Sequence, residues 1–305
     1  MSRSFLEVDR LSKCFPAPDG GEFTVFKDAT FGVEKGEFVC IIGHSGCGKS
    51  TILNVLAGLD QGTSGNVIMN GKEVAGPSLE RGVVFQNYSL LPWMSALSNI
   101  MFGVRARWPQ WSKEKVREHS EYYLNLVGLD EAMHRKPSQL SGGMRQRVSI
   151  ARAFATKPEL LLLDEPFGAL DALTRGVIQD ELLKIWEETK QTVFMITHDV
   201  DEAILLSDRV LLMSNGPEAE VAESVKVDIP RPRTRSGLMD VPGFYKIRNY
   251  LVDFLINRSD TATTAEDGRP RFINPAADSD DSGETSVGEA SSAGQTQAPE
   301  AASSF

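Results

Sequence analysis

The chain has 305 residues, enough for one large domain or two modest ones with a substantial core. Its formal net charge of −10 gives no reason to expect nucleic acid as a partner. Apolar runs such as Leu160 to Leu163 are far shorter than the roughly 20 residues that span a bilayer, and Glu7 and Asp9 lie where a signal peptide would be apolar. We therefore expect a soluble chain that is not exported, and any membrane span to belong to another chain.

The N-terminal part of the chain predicts an α/β unit. Short apolar runs between residues 23 and 42, with the turn EKGE at 34–37, indicate strands of a small sheet that lead into EFVCII, which is apolar and β-branched enough to be a buried strand. A helix is predicted from Lys49 to Leu59, ending near Gly58. The pair Asn70-Gly71 then predicts a hairpin turn between two strands.

The middle of the chain predicts a helical insert, at about residues 87–157. Between Ser112 and Gly128 the apolar residues recur with helical period, with the serine as N-cap and the glycine beyond the end. The residues that share this predicted face are Val116, His119, Tyr123, Leu126 and Val127.

Two further strands, LLLLDE at 160–165 and TVFMIT at 192–197, follow the insert. Strands that alternate with helices predict a mostly parallel sheet. The helix between them is predicted to bury a face formed by Leu173, Val177, Ile178, Leu182 and Ile185.

From Ser259 onward the composition changes to small, polar and acidic residues, with nine Asp or Glu against two Arg. Such a segment buries too little apolar surface to offset its ordering entropy. We therefore expect one folded domain over 1–258 and an acidic, disordered tail over 259–305.

The stretch GHSGCGKST fits the pattern of a phosphate-binding loop, directly after a buried strand and at the start of a helix. Its backbone N–H groups would form an anion nest, Lys49 would reach the β- and γ-phosphates, and Ser50 would bind Mg²⁺. This predicts ATP and Mg²⁺ as cofactors. The candidate nucleotide-binding residues are Gly43, His44, Ser45, Gly46, Cys47, Gly48, Lys49, Ser50 and Thr51.

Polar residues at three other strand ends complete a candidate hydrolytic site. Asp164 and Glu165 end one strand, so the first is predicted to support Mg²⁺ and the second to accept a proton from the attacking water. His198 ends the next strand, where a neutral imidazole would contact the γ-phosphate and the water. Gln86 is predicted to act on Mg²⁺ or the water.

The stretch LSGGMRQR predicts an anion-binding helix start that lacks a lysine and a magnesium ligand of its own. Ser141 is the predicted N-cap, and the helix dipole and first amides favour negative charge. Gly142 and Gly143 in the first turn each cost roughly 1 kcal/mol of helix stability against Ala, so we expect another group to approach this backbone closely.

In order and spacing, these motifs resemble the Walker A, Q-loop, signature, Walker B, D-loop and switch histidine of an ABC transporter ATPase subunit. The resemblance covers about residues 5 to 250. It implies an α/β P-loop NTPase fold with a mostly parallel core sheet, a small antiparallel β subdomain and a helical insert. The segments that carry it are Gly43 to Thr51, Gln86, Leu140 to Met144, Leu160 to Glu165, Ala169 to Asp171 and His198.

The resemblance implies partners. In that family two ATPase domains pack head to tail, so Ser141, Gly142 and Gly143 would cap the γ-phosphate on the neighbour's P-loop, and Asp171 would line the same interface. The second subunit would be an identical copy or a paralogue. The pair would lie on the cytoplasmic face of the cell (inner) membrane, bound to integral membrane permease subunits and served indirectly by a periplasmic or extracellular substrate-binding protein.

Two finer implications of the resemblance concern adenine and cargo. Phe15 is the candidate aromatic for stacking on adenine, with Phe23 as a weaker rival. The residues of several motifs most resemble those of nitrate and nitrite importers, with bicarbonate, cyanate, sulfonate and taurine importers as alternatives. A non-transport ABC ATPase is a remote alternative, because such a protein would usually carry two ATPase domains or a long coiled-coil insert.

Overall fold

The computed structural model describes residues 4–17 and 20–277, in which strands and helices alternate along the chain. The strands are β1 (Leu6–Pro16), β2 (Glu22–Val33), β3 (Phe38–Ile42), β4 (Ser64–Met69), β5 (Lys72–Glu73), β6 (Arg81–Val84), β7 (Leu160–Asp164), β8 (Thr192–Ile196), β9 (Arg209–Met213), β10 (Val221–Lys226) and β11 (Arg271–Ile273). The helices are α1 (Lys49–Ala57), α2 (Ala96–Arg107), α3 (Lys113–Leu126), α4 (Gly142–Ala155), α5 (Ala172–Thr189), α6 (Val200–Leu206), α7 (Arg235–Leu238) and α8 (Phe244–Asp253).

A large sheet forms the core, with the order β11-β10-β9-β3-β8-β7-β6 in the described part of the chain. Strand β3 pairs in parallel with both β8 and β9, and β7 pairs in parallel with β6 and β8, while β10 runs antiparallel to β9. Every residue of β3 and β8 is buried, as expected for parallel strands covered on both faces. The predicted α/β fold with a mostly parallel sheet is confirmed, and the carboxyl ends of β3, β7 and β8 lie at one edge of it.

The second sheet is antiparallel and has the order β2-β1-β4-β5 within the same residues. Its β4–β5 hairpin turns at Asn70 (φ 51°) and Gly71 (φ 76°), the two positive φ angles that a tight hairpin turn requires. The predicted hairpin is confirmed. Val25 and Phe26 of β2 reach the large sheet, where they touch the loop that follows β3.

The helical insert comprises α2, α3 and α4. Ser112 and Ser141 cap α3 and α4 as predicted, since their hydroxyls accept from the backbone N–H groups of Lys115 and Met144. In α3 the predicted face is buried at Val116, Tyr123 and Val127. None of the helices in the described ranges combines the length and apolar character of a membrane span.

The predicted apolar face of α5 is wrong at its N-terminal end. Ile178, Leu182 and Ile185 are buried, but Leu173 is 86% exposed and Val177 53% exposed. The first turns of α5 instead contact α4 through Thr174 and Arg235 through Gly176. Because these contacts occupy other sides of the helix, the two apolar side chains face outward.

The expected start of the disordered tail at Ser259 is also wrong. Ser259 is buried, its carbonyl accepts from the N–H of Asn215 at 2.9 Å, and β11 pairs in parallel with β10. Composition underestimated this segment because backbone hydrogen bonds to a pre-formed sheet edge require few apolar side chains. Residues 278–305 of the predicted tail lie outside the described residues.

Candidate active site

The loop 43–48 connects β3 to α1 and is shaped by two glycines. Gly46 and Gly48 have φ angles of 85° and 102°, which glycine adopts at little steric cost. A Cβ on Gly48 would also lie within 2.9 Å of Val25 and Phe26, so β2 packs directly against this loop. The first backbone N–H groups of α1 follow this loop directly. Because the first N–H groups of a helix have no acceptor within it, the loop and the helix start together have the geometry of an anion nest.

Lys49 is buried at the start of α1 and folds back over the loop. Its Nζ donates to the carbonyl oxygens of Gly43 at 2.8 Å and His44 at 2.7 Å. The ammonium group is thereby held at the loop by two neutral acceptors. Phosphate oxygens, which are charged acceptors, form stronger hydrogen bonds with an ammonium group than carbonyls do.

The C-terminal part of the chain contacts the phosphate loop at two positions, His44 and Gly46. His44 Nε2 lies 2.7 Å from the carbonyl oxygen of Leu255, in the π-helical turn Phe254–Arg258. The position of Gly216 is also close, since a Cβ there would lie 3.7 Å from the carbonyl oxygen of Gly46. The loop is therefore in contact with a segment far from it in sequence.

Ser50 and Asp164 meet at the carboxyl edge of the sheet. Ser50 Oγ donates to Asp164 Oδ1 at 3.1 Å, and burial raises the pKa of this carboxyl while the serine bond and Lys49 lower it. A hydroxyl and a half-buried carboxylate are oxygen ligands of the type that Mg²⁺ takes together with phosphate oxygens. A cation there would offset the cost of burying the charge, so these residues fit the predicted Mg²⁺.

Glu165 and His198 lie next to each other at the same edge. The His198 Nδ1 atom is 3.6 Å from Glu165 Oε2, and the imidazole is 60% exposed. Glu165 has a positive φ of 43°, a conformation that is rare outside glycine and is often found at functional sites. Gln86 follows β6 and borders the same place, because a Cβ on Gly168 would lie 3.7 Å from its Nε2 and 3.6 Å from Glu165 Oε2. The structure thus brings all three predicted hydrolytic residues together.

A buried polar network that sequence reasoning missed lies behind His198. The hydroxyl of Thr197 donates to Glu202 at 2.5 Å, and the amide of Gln179 donates to the other oxygen of Glu202 at 2.7 Å. Burial raises the pKa of Glu202. The available signal was a carboxylate directly before the apolar run of α6 (203–206), four residues after the histidine.

The signature residues contact other elements than the loop 43–48. Gly142 borders the hydroxyl of Tyr88, whose oxygen would be 3.4 Å from a Cβ, and Ser141 is exposed. At Gly143 a Cβ would overlap with the methyl group of Thr174 in α5. The close approach expected at these glycines is therefore made, at Gly143, by the chain's own side chain.

Asp171 is exposed and caps α5. Its Oδ1 accepts from the N–H of Thr174 at 3.0 Å, and this backbone hydrogen bond, the first among several, lowers the pKa of the carboxyl. Within this chain, Asp171 fixes the start of the helix that packs on the signature glycine.

Phe15 and its rival Phe23 are directly opposite each other in the β1–β2 ladder. Both are exposed, at 41% and 49%, and the ammonium group of Lys13 lies 4.9 Å from the centre of the Phe15 ring. Because the β2 residues Val25 and Phe26 touch Gly48, this ladder end lies on the strand that borders the phosphate loop. Both exposed rings are therefore candidates for stacking on adenine.

Together, a glycine-rich loop before a helix, a Ser–Asp pair and a glutamate with a histidine define a P-loop nucleoside triphosphatase. The comparisons with known proteins agree. The ABC transporter family profile matches residues 26–168. The nitrate import ATP-binding protein NrtD of Synechococcus elongatus is 50% identical over 258 residues, which is 85% of this chain and 94% of that protein. The bicarbonate transport ATP-binding protein CmpD of the same species is 50% identical over 254 residues, 83% of this chain and 91% of that protein.

Solved structures give the same result. A post-hydrolysis dimer of the ATP-binding cassette MJ0796 bound to ADP and Pi has 31% sequence identity and a TM-score of 0.66, and the match covers 74% of this chain and 100% of that one. The chain therefore belongs to the ABC transporter family, as an ATP-binding subunit that hydrolyses ATP.

Proposed function

We propose that this chain is the energy-coupling ATPase subunit of an importer for a small oxyanion, with nitrate or nitrite as cargo. The observation that carries the proposal is its 50% identity over 94% of a nitrate import ATP-binding protein. A bicarbonate importer is the second candidate, because a bicarbonate transport ATP-binding protein matches at the same identity. Sulfonate or taurine import and a non-transport ATPase rank below both.

Phosphate binding is assigned to the loop 43–51. The amides of the loop and of α1 take the β- and γ-phosphates, and the ammonium group of Lys49 moves from its two carbonyl partners to the phosphate oxygens. Ser50 and Asp164 would hold Mg²⁺, which would neutralise charge on the phosphates, and Gln86 would act on the ion or on the attacking water from the start of the insert. The 3.1 Å contact between Ser50 and Asp164 supports this assignment.

Hydrolysis is assigned to Glu165 and His198. The carboxylate of Glu165 accepts a proton from the water that attacks the γ-phosphorus, while the bond from that phosphorus to the bridging oxygen breaks and ADP leaves. His198 positions the γ-phosphate and the water. Their 3.6 Å separation, at the sheet edge where the phosphate loop begins, supports the pairing.

The site is completed by a second subunit, identical or paralogous, packed head to tail. Ser141, Gly142 and Gly143 of one copy cap the γ-phosphate held by the other, and Asp171 lines the interface. The support for this partner is the exposed serine at a helix N-terminus, where amides and dipole favour an anion.

The adenine stacks on Phe15, with Phe23 as the alternative; both lie at the end of the β1–β2 ladder beside the phosphate loop. ATP binding closes this dimer, and hydrolysis with phosphate release reopens it.

Coupling to the membrane is assigned to the surface between Gln86 and Gly103. Trp93 is 67% exposed and Phe102 54% exposed, and large exposed apolar side chains mark interaction surfaces. The buried amide of Asn99 holds the loop that carries Trp93 through hydrogen bonds to Leu91, Met94 and Ser95. Permease subunits bind here, so the chain lies at the cytoplasmic face of the membrane and meets a substrate-binding protein only indirectly.

A Glu165→Gln substitution tests the catalytic assignment. Because Gln cannot accept the proton from water, we expect at least about a hundredfold loss of kcat with ATP binding retained. Phosphate release and nucleotide binding are measured on the full-length chain. A variant that hydrolyses ATP at the normal rate would place the general base elsewhere.

The cargo is tested by disrupting the gene in the source organism and measuring uptake of labelled nitrate, nitrite and bicarbonate. Loss of nitrate or nitrite uptake alone is expected, and the intact gene supplied in trans restores it while the Glu165→Gln form does not. Loss of bicarbonate uptake alone would establish the second candidate. Unchanged uptake of all three anions would refute both.

A further inference from the structure

The guanidinium group of Arg175 joins three parts of the site that are separate in sequence. Its Nη2 donates to the carbonyl oxygen of Leu170 at 3.2 Å, and its Nη1 lies 3.5 Å from Asp199, the residue after His198. Its Nε is 4.0 Å from the carboxylate of Glu202 and is buried without a hydrogen-bond partner within the described ranges. A planar fork with fixed donor directions is suited to such a three-way contact, and a lysine ammonium is not.

Glu202 links this fork to the catalytic histidine. One oxygen accepts from the hydroxyl of Thr197, directly before His198, and the same hydroxyl accepts from the N–H of Asp199 at 3.1 Å. Two bonds therefore fix the backbone on both sides of the histidine. The other oxygen accepts from Gln179, so Glu202 is attached to α5 as well as to the strand end.

The network is buried, while the histidine that it surrounds is not. Glu202 is 7% exposed and Thr197 1%, whereas the His198 side chain is 60% exposed. An exposed side chain on a backbone held by hydrogen bonds suits a group that must meet a γ-phosphate, because misplacement by about 1 Å can cost about a hundredfold in rate. The guanidinium group of Arg175 also holds the carbonyl of Leu170, directly before Asp171.

We propose that Arg175 and Glu202 act as a positioning pair that holds the D-loop and the switch histidine in one fixed arrangement for hydrolysis. Neither residue touches ATP; each acts through its neighbours, Leu170–Asp171 on one side and Thr197–His198 on the other. Losing the pair lowers the rate of cleavage and leaves ATP binding, which depends on the loop 43–51, unchanged. The inference rests on the proposed role of His198 in hydrolysis.

The test compares Arg175→Lys, Glu202→Gln and the double variant in the full-length chain. We expect each single substitution to lower kcat at least about tenfold while KM for ATP stays within about twofold, and the double variant to be no slower than the worse single one. Asp201→Asn is the matched control, since it removes the adjacent carboxylate of α6, which pairs with Arg248 at the surface. Normal kcat in either single variant, a parallel rise in KM, or fully additive losses would overturn the proposal.

A pair of substitutions at Thr197 keeps the test valid if the charged variants fail to fold. Thr197→Val has nearly the same shape without the hydroxyl and is expected to lose kcat at least about tenfold, whereas Thr197→Ser restores it to within about threefold of the original chain. Equal activity of the two would show that the hydroxyl serves packing only. If Glu165→Gln hydrolyses ATP normally, the catalytic assignment itself is wrong; if it is inactive while the pair variants are normal, only this inference fails.

Discussion

Gly143 has a packing role that the signature motif alone did not predict. A Cβ at this position would overlap with the methyl group of Thr174, whereas at Gly142 the nearest atom is the Tyr88 hydroxyl oxygen at 3.4 Å, an ordinary contact. The two glycines are adjacent in sequence but differ in environment. One is required by helix packing inside the chain, and the other leaves the helix start open on the outside.

Gly143→Ala is expected to lower the free energy of unfolding by about 1–3 kcal/mol through overpacking, despite the better helix propensity of alanine. Gly142→Ala, the matched control, changes it by less than about 1 kcal/mol. Urea unfolding measures both. Adding Thr174→Ser, which removes the methyl group, should return most of the stability lost in Gly143→Ala. If it does not, the contact is not the cause.

Residues of the phosphate-loop motif and of strand ends were predictable, and residues that support them were not. Lys49, Asp164 and Glu165 stand in local patterns whose spacing already implies their chemistry. Arg175 and Glu202 meet only because α5 and α6 pack together, and a single sequence carries no record of that contact. The predicted burial of Leu173 and Val177 was wrong for the same reason. Helical periodicity identifies an apolar stripe but not the neighbouring element that covers it.

At the scale of elements, a partly buried ion pair links α5 to the helical insert. Arg147 of α4 lies 3.6 Å from Glu181 of α5, and burial raises the pKa of that carboxyl to about 7. The folded chain therefore holds this proton more tightly than the unfolded chain does. The contribution of this carboxyl to stability therefore decreases as the pH rises from the unfolded pKa of 4.5 to about 7.

Glu181→Gln removes the titrating group, so the decrease in Tm between pH 5 and pH 8 is expected to be smaller than in the original chain. The comparison uses thermal unfolding at the two pH values. Glu188→Gln, an exposed position on the same helix, serves as the control and should leave the decrease unchanged. An identical decrease in the Glu181 variant would mean that this carboxyl has an ordinary pKa.

The C-terminal segment belongs to the folded domain up to at least Ala277. Strand β11 extends the large sheet through β10, and Ser259 and Leu255 make backbone contacts with Asn215 and His44 near the phosphate loop. Truncation after Ala277 is expected to leave Tm and the ATPase rate unchanged. Truncation after Arg258 should lower Tm by at least about 3 °C, because a domain of this size loses roughly 2–4 °C per kcal/mol. Equal Tm values for both truncations would show that β11 contributes nothing to stability.

At the scale of the whole molecule, the signature and the phosphate loop of one chain contact different neighbours. Gly142 and Gly143 meet Tyr88 and Thr174, while the loop meets β2 and Leu255. In the proposed head-to-tail dimer, the loop of each copy would lie against the signature of the other. Each site would then be shared, and a loop defect on one subunit and a signature defect on the other would fall in the same site and leave the second site intact.

Mixing two defective subunits tests this sharing. In a Glu165→Gln background, Lys49→Ala disables the loop and Ser141→Arg disables the signature, so neither variant alone is expected to occlude ATP. In a mixed dimer one site carries both defects and the other carries none, so an equal mixture should occlude about a quarter of the reference amount if subunits pair at random. Mixing Lys49→Ala with a chain that carries both defects leaves no intact site and is the control. If the first mixture occludes no more ATP than this control, the two halves of each site do not come from different subunits.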